Sequence, residues 1–588
     1  MKQTKYQVGA AAAAALLLST FCMGYIYLRF GMIYAIADDI IMRDIASGAF
    51  SGKPDGHLIF VKFVLGWLIS GCYLLAPRVD WYGFCMTGTM FLGMAACLYR
   101  GFSFKKSLGW KAAYGFFAVL LFIQTALFHA AQFEWTLCAA FAGGCALFFY
   151  VTMQSPWENV VVYLLLLMTF CIRSDIFWML MPGFGLFYLW KHVSVQRGNG
   201  ISHGFLKGRK ASLQVKQWVL PVAVFLSVGV VLLVEHIAYR EEGWREFMEF
   251  QDARSLVYDY YGVPDYEADP EFFEELGISQ QEVRNLRHYA LYLVEDLDGE
   301  RMQELAGESM RQSGQIRGIK DRLKQGIRLA LKQFFSLDYA PTNLYGMVLA
   351  LYLLIYTWKN ERKGWGMLLL LLLAQGSLWL ALGIVGRLPE RVAQAMHVAD
   401  LAVMSGALWQ IGAFWKGKKA RTRLAAVTGV LFVVLSVFCW RDTLKSNREK
   451  LQADGNYQLF KEYCRKQENS LFFIETYQAE PIGGARVTTA GDFSLNRCLT
   501  LGDWYSMSPL DQKRFEALGI SGVEEMLLSG EDVYYVVRDV EKPGFFGDYI
   551  ENKYESAQVF LSDVVEIEER VYYLYQVRTA PDERKTSI

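Results

Sequence analysis

Residues 58–76 read Leu58-Ile-Phe-Val-Lys62-Phe-Val-Leu-Gly-Trp-Leu-Ile-Ser-Gly-Cys-Tyr-Leu-Leu-Ala76, directly after the turn Ser51-Gly-Lys-Pro-Asp-Gly56. By length this run suffices for a membrane crossing, since about 20 apolar residues cover the roughly 30 Å hydrocarbon core. Whether it crosses sets the orientation of everything after it. An earlier run starts near Val8, behind Lys2 and Lys5, and continues through Tyr25-Ile-Tyr-Leu28 without a small-residue cleavage site. It reads as an uncleaved first span. Further runs begin near Trp81, Ala112, Trp135, Asn159, Ile176, Trp218, Thr342, Gly366, Val392 and Ala425. If 58–76 crossed as well, the loop carrying Arg100, Lys105, Lys106 and Lys111 would lie outside, against the retention of short basic loops in the cytoplasm. Lys62 in mid-run and the Gly/Pro-rich turn before it single out 58–76 as the run that lies along the outer surface or re-enters partly. The basic loops 100–111, 191–216, 359–363 and 416–423 then all fall inside. The expectation is a polytopic α-helical membrane protein with about eleven transmembrane helices, its N-terminus in the cytoplasm and its C-terminus outside.

Composition agrees. Of 588 residues 53% are apolar and 20% charged, displaced toward membrane proteins. Lys+Arg and Asp+Glu both total 59, which gives no basic surface for a nucleic-acid partner. The expected organisation is a transmembrane domain over 1–440 and an extracytoplasmic α/β domain over 441–588. The first part carries an outer-face first loop (31–80) and a large extracytoplasmic insert (237–340). Within the insert, Ile316, Ile319, Leu323, Ile327 and Leu331 share one helical face, and Arg317, Lys320, Lys324, Arg328 and Lys332 another. That pattern suits a helix lying in the lipid headgroup region. In the tail, 471–476, 533–537, 559–561 and 571–577 read as strands, and 511–518, 523–528 and 546–554 as helices. Most cysteines lie in apolar runs and read as small hydrophobes. Cys464 and Cys498 sit in polar sequence, where spacing leaves their pairing open.

The chemistry-bearing stretch is Ala37-Asp38-Asp39-Ile-Ile-Met-Arg43-Asp44, one or two turns beyond the first span. Adjacent helical residues point about 100° apart, so the two acids need not share a role. One suits a base on an acceptor hydroxyl, the other an acceptor or metal contact. The same residues also fit a surface helix with acids in its first turn and an Asp39–Arg43 pair at i,i+4. His57 and His129 map to the outer face, where they and Glu134 are candidate acceptor or divalent-metal contacts.

This arrangement resembles the GT-C superfamily of membrane glycosyltransferases, which includes oligosaccharyltransferases, protein O-mannosyltransferases and aminoarabinose transferases. Members carry an acidic pair in the first extracytoplasmic loop, followed by helices parallel to the membrane, and many end in an extracytoplasmic domain. The resemblance covers the topology and residues 34–99. It departs at Pro54-Asp-Gly-His57-Leu58, where several members have a Pro-Pro-Leu-like stretch. The oligosaccharyltransferase W-W-D motif is also missing, and Gly502-Asp-Trp-Tyr505 is only superficially similar. What the resemblance implies is inverting transfer of a sugar from a polyprenyl-phosphate donor to a cell-surface glycan or lipid acceptor outside the cell membrane. Asp38 and Asp39 are then the catalytic carboxylates. Arg173, Arg387 and Arg391, at the outer membrane boundary, are the donor-phosphate ligands, because the guanidinium fork matches phosphate oxygens. Two other classes remain open from sequence: a transporter or flippase of lipid-linked glycans, and a non-catalytic envelope-assembly protein.

Overall fold

Alanine and leucine, strong helix formers, fill the first apolar run, and it forms helix α1 (Lys5–Arg29). The computed structural model describes residues 5–104, 106–196, 212–313, 319–360, 362–386, 388–412, 421–479, 485–529 and 532–579. After α1 a two-residue strand, β1 (Ile33–Tyr34), leads into α2 (Ala37–Ser47). Gly48 closes α2 at φ 92°, returning its N–H to the carbonyls of Asp44 and Ile45. A Cβ there would lie 2.9 Å from the Lys53 and Pro54 backbone, so the turn takes only glycine.

Within the apolar run at 58–76, the regular helix α3 covers only Phe63–Leu75. Thirteen residues reach about 20 Å at 1.5 Å per residue, well short of a bilayer core. Lys62 sits just before its first turn. Its ammonium pairs with Glu235 at 3.3 Å, and the other Glu235 oxygen accepts the Phe63 N–H at 2.7 Å. The preceding loop lies directly on α3, because a Cβ on Gly66 would overlap the Gly56 carbonyl oxygen.

The bundle continues through α4 (Trp81–Phe102), α5 (Leu108–Thr125), α6 (Trp135–Thr152), α7 (Glu158–Ile172), α8 (Ser174–Gln196) and α9 (Ser212–Ala238). The insert holds α10 (Glu242–Ser255), α11 (Gly299–Gln312) and α12 (Ile319–Phe335). Then come α13 (Thr342–Asn360), α14 (Arg362–Val385), α15 (Glu390–Ile411) and α16 (Arg421–Lys466). Six helices among the described residues are long and apolar enough to cross a membrane: 7–29, α4, α5, α6, 218–238 and 364–385. The chain is therefore a membrane protein. α6 is buried on nearly every face, packed between α4, α7 and α15. Arg100, counted above among loop residues, belongs instead to the last turn of α4, where it is fully buried. It pairs with Glu158 at 2.7 Å and donates to Thr152 at 3.0 Å, tying α4, α6 and α7 together. α12 leaves Leu323, Ile327, Leu331 and Phe335 exposed as an apolar stripe. Residues 314–318, with Ile316 and Arg317, lie outside the described residues.

α16 has 46 residues, roughly 69 Å of helix, and carries the chain from the bundle to a five-stranded sheet. Strands β3 (Leu471–Ile474), β4 (Cys498–Thr500), β5 (Val533–Arg538), β6 (Ala557–Ile567) and β7 (Arg570–Thr579) are ordered β4-β3-β5-β7-β6. The first three are parallel, and β7 and β6 are antiparallel to their neighbours. The four runs read as strands from sequence are in this sheet. β4, only three residues long, is too short to show an alternation. Cys464 and Cys498 are buried free thiols. The tail meets the first loop directly. Val487 donates to the Met32 carbonyl, Thr488 accepts from Asp80, and Asn496 donates to Ala49. β1 also pairs in parallel with β2 (Gln132–Phe133) and bridges to Arg486. Segments 31–80, 126–135, the insert and the tail thus share one end of the bundle.

Candidate functional site

The N-terminus of α2 has no side-chain cap, so its free N–H groups favour anions in the first turn, which holds Asp38 and Asp39. The two acids meet different surroundings. Asp39 is 0% exposed. Its Oδ1 accepts the Tyr82 hydroxyl at 2.7 Å and its Oδ2 the Trp135 backbone N–H at 3.4 Å. Burial, reinforced by the neighbouring charges of Glu134 and Asp38, pushes its carboxyl well above the usual range. Asp38 keeps 27% of its side chain exposed and pairs with Arg391 at 3.3 Å.

Arg391 stands in the first turn of α15 and brings a third acid into the cluster. Its Nη1 lies 3.9 Å from Glu134 Oε1. Glu134 is buried at the start of α6, and burial raises its carboxyl against the opposing charges of Arg391 and Arg173. Among the described residues both contacts of Arg391 to acids use Nη1, so Nε and Nη2 keep donors for another anion. Asp259 of the insert adds negative field at this guanidinium. Arg173 lies 4.2 Å over the ring of Trp135, the residue after Glu134, and pairs with Asp175 at 3.0 Å. Glu134 Oε1, Trp135 Nε1 and Gln394 Oε1 are buried around this cluster without hydrogen-bond partners among the described residues.

His129 joins from the short helix before α6. Its Nε2 lies 3.1 Å from Gln394 Nε2, and burial lowers its pKa to about 4. The ring is neutral at pH 7, which leaves that nitrogen as an acceptor for the amide. His57 has other partners. Its Nδ1 is 2.6 Å from Asp55, its Nε2 is 3.2 Å from the Ala238 carbonyl, and its ring stacks on Trp244 at 4.4 Å. With both nitrogens engaged it fastens the first loop to the insert. Among the described residues no three His, Cys, Asp or Glu side chains converge as metal ligands. Arg387 lies outside the described residues.

The Asp39–Arg43 pair expected from i,i+4 spacing does not form. Arg43 turns to Asp44 at 2.8 Å and lies 5.3 Å over the rings of Tyr34 and Phe493. Asp44 Oδ2 also accepts from Lys461 and Asn496, both at 2.9 Å. α2 is therefore buried against the tail rather than lying on a surface. Behind it, Asp80 caps α4 and accepts the hydroxyls of Tyr34 at 2.7 Å and Tyr73 at 3.1 Å. Tyr82, Asp80, Lys461 and Gln394 are site residues that sequence reading passed over. Only Asp80 had a local signal, an aspartate just before an apolar helical run.

Six and nine residues beyond Arg391, α15 lends His397 and Asp400 to a cavity of about 330 Å³ shared with α12, α13 and α14. Its walls are otherwise mostly apolar, with Leu372, Trp379 and Met404 inside, and its rim includes the exposed Ile327, Leu331 and Phe335 of α12.

No protein-family model matches this sequence, and no curated protein matches it. Among solved structures it is similar to the crystal structure of ArnT from Cupriavidus metallidurans bound to undecaprenyl phosphate, with 12% identity over 97% of this chain and 98% of that one and a TM-score of 0.36.

Proposed function

We propose that this chain is a membrane glycosyltransferase that moves a sugar from a polyprenyl-phosphate donor to a hydroxyl of a cell-surface glycan or lipid on the outer face. The observation that carries the reading is the Asp38–Arg391 pair at 3.3 Å, a partly exposed carboxylate against a guanidinium with donors unused among the described residues. Transfer needs both parts. Asp38 takes the acceptor's proton as the acceptor oxygen bonds to the anomeric carbon. The bond from that carbon to the phosphate oxygen breaks with inversion, its electron pair leaving with the phosphate, whose charge Arg391 holds. In the structure described the two side chains touch, so substrate enters by separating them.

Asp39 and Glu134 act here as positioning residues. Asp39 fixes α2 to α4 and α6 through Tyr82 and Trp135, and Glu134 shares Arg391 with Asp38. Arg173 backs the site through Trp135. The 330 Å³ cavity supports a lipid donor: it lies about 9–14 Å along α15 from Arg391 and has an exposed apolar rim. The orientation that goes with this reading takes α1, α4–α9 and α13–α16 as spans, with 441–588 as an extracytoplasmic domain. The mutual contacts of the first loop, insert and tail at one end of the bundle support it.

The test supplies membranes holding the full chain with a polyprenyl-phosphate hexose labelled in the sugar. Release of polyprenyl phosphate together with transfer of label to membrane glycans is expected from wild type and not from Asp38→Asn. Label carried across vesicles with no glycosyl product would replace this reading with a carrier.

A further inference from the structure

A second cavity, about 60 Å³, lies on the other side of α2 from Asp39. At about 10–15 Å³ of such space per water, it has room for roughly four to six waters, the scale of one charged substituent. Ala37, Ile40, Ile41 and Asp44 wall it from one stripe of α2. Facing them are Thr476, Thr500 and Asp503 at the carboxyl ends of the parallel strands β3 and β4. Open α/β sheets take their ligands at that edge. Lys461 enters from α16, and Arg514 from the tail helix Pro509–Leu518.

Among the described residues the cations here have donors left over, whereas the acid of α2 does not have acceptors to spare. Arg514 is 3% exposed, and its Nη1 reaches the Tyr505 hydroxyl at 3.3 Å and Asp511 at 3.8 Å. Its Nε is buried with no partner among the described residues. Lys461 gives one hydrogen to Asp44, and an ammonium has three. Asp44 already accepts Arg43 twice, Lys461 and Asn496. Asp503 Oδ1 accepts the Trp504 N–H at 2.7 Å. Leaving a guanidinium N–H buried and unpaired costs more than leaving a neutral one, so an acceptor is owed at Arg514. Beside these donors stand the Thr500 and Tyr505 hydroxyls, 3.4 Å apart, and the Phe50 ring, with Arg514 4.7 Å over it.

We propose that this cleft binds the anionic group, carboxylate or phosphate, of a sugar acid or sugar phosphate, with Arg514 and Lys461 as its cationic ligands. Thr500 and Tyr505 meet the neighbouring hydroxyls of the ligand. The cleft sits against the helix that carries Asp38 but does not include it, so the inference stands apart from the transferase reading.

Calorimetric titration of the full chain in nanodiscs with glucuronate, glucose 6-phosphate and glucose tests it. Glucuronate or glucose 6-phosphate should bind at least tenfold more tightly than glucose, and the tighter of the two identifies carboxylate or phosphate as the preferred group. Arg514→Gln and Lys461→Met should each weaken that anion about tenfold, one charge-assisted hydrogen bond's worth. Asp38→Asn should leave it unchanged. If Arg514→Gln does not fold, Lys461→Met alone carries the test, because Asp44 keeps Arg43 and Asn496. Binding of glucose as tight as that of the anions, no binding of any probe, or wild-type anion affinity in the folded variants would overturn the proposal.

Discussion

Asp38 and Asp39 are neighbours in sequence with opposite surroundings, so replacing each by asparagine separates chemistry from scaffolding. Asp38 contacts Arg391 at a site where both side chains are about a third exposed, 27% and 32%. An ion pair that open contributes about 0–1 kcal/mol, so Asp38→Asn should fold normally. Its activity should fall about 10²–10⁴-fold, the usual contribution of a general base, or roughly 3–5 kcal/mol of barrier. Asp39→Asn keeps an acceptor for Tyr82 but points an amide donor, or an acceptor at the expense of Tyr82, toward the Trp135 N–H. The mismatch should cost about 1–3 kcal/mol of stability. That loss should shrink with pH. Asp39's folded pKa lies above its unfolded value, so between the two the folded state holds more protons, and wild-type stability falls as pH rises through that window. Asparagine has no such dependence, so the gap between variant and wild type narrows from about pH 4 upward. The assay pairs release of polyprenyl phosphate with denaturation curves at several pH values. An Asp38→Asn enzyme within threefold of wild type, with Asp39→Asn inactive yet equally stable, would refute this division of labour.

Arg391→Lys keeps the charge but loses the fork, and turnover in the same assay should drop at least tenfold with little change in melting temperature. Glu158→Gln leaves Arg100 buried without its counter-charge and should destabilise by about 3–5 kcal/mol in thermal unfolding; a Arg100→Met/Glu158→Leu pair should recover much of that. Gly48→Ala forces a Cβ onto the Lys53–Pro54 backbone at φ 92° and should cost about 1–3 kcal/mol, read by the same unfolding assay.

Patterns that depend on neighbours in sequence were legible, and those that depend on distant partners were not. The demotion of 58–76 rested on the charges of the later basic loops, with Lys62 and a Gly/Pro turn selecting the run, and the regular helix there, α3, covers only Phe63–Leu75. The tail's other four strands are runs rich in β-branched and aromatic residues, legible on their own, whereas the short β4 takes its place by pairing with β3. In the site, sequence supplied Asp38, Asp39, Glu134, His129, Arg173 and Arg391 as residues at one depth. It had no means to rank Arg391 above Arg173, because what separates them is the 353-residue contact of Arg391 with Asp38. Arg43 failed its i,i+4 rule for the same reason. A rule worth about 0.2–0.5 kcal/mol on an exposed helix yields to a buried carboxylate that also gathers Lys461 and Asn496. His57 looked like a ligand by position, and only the fold supplies the Trp244 ring and Ala238 carbonyl that occupy it.

α2 is the element on which these observations converge. One side offers Asp38 to Arg391, another buries Asp39 against Tyr82, and a third walls the cationic cleft. What holds it is Asp44, whose pKa, although burial alone would raise it, is carried well below the ordinary carboxylate range by Lys461 and Arg43. Lys461 belongs to α16 and Asn496 to the loop before β4, so the tail supplies half of the charge balance beneath the acids. Without the tail, Asp44 and Arg43 would keep each other but lose the ligands that fix α2 in rotation. A carboxylate acting as base must stand within hydrogen-bond reach of its proton, and a small rotation of α2 removes that reach. The C-terminal tail, far along the sequence from Asp38, therefore helps to fix the helix that carries it.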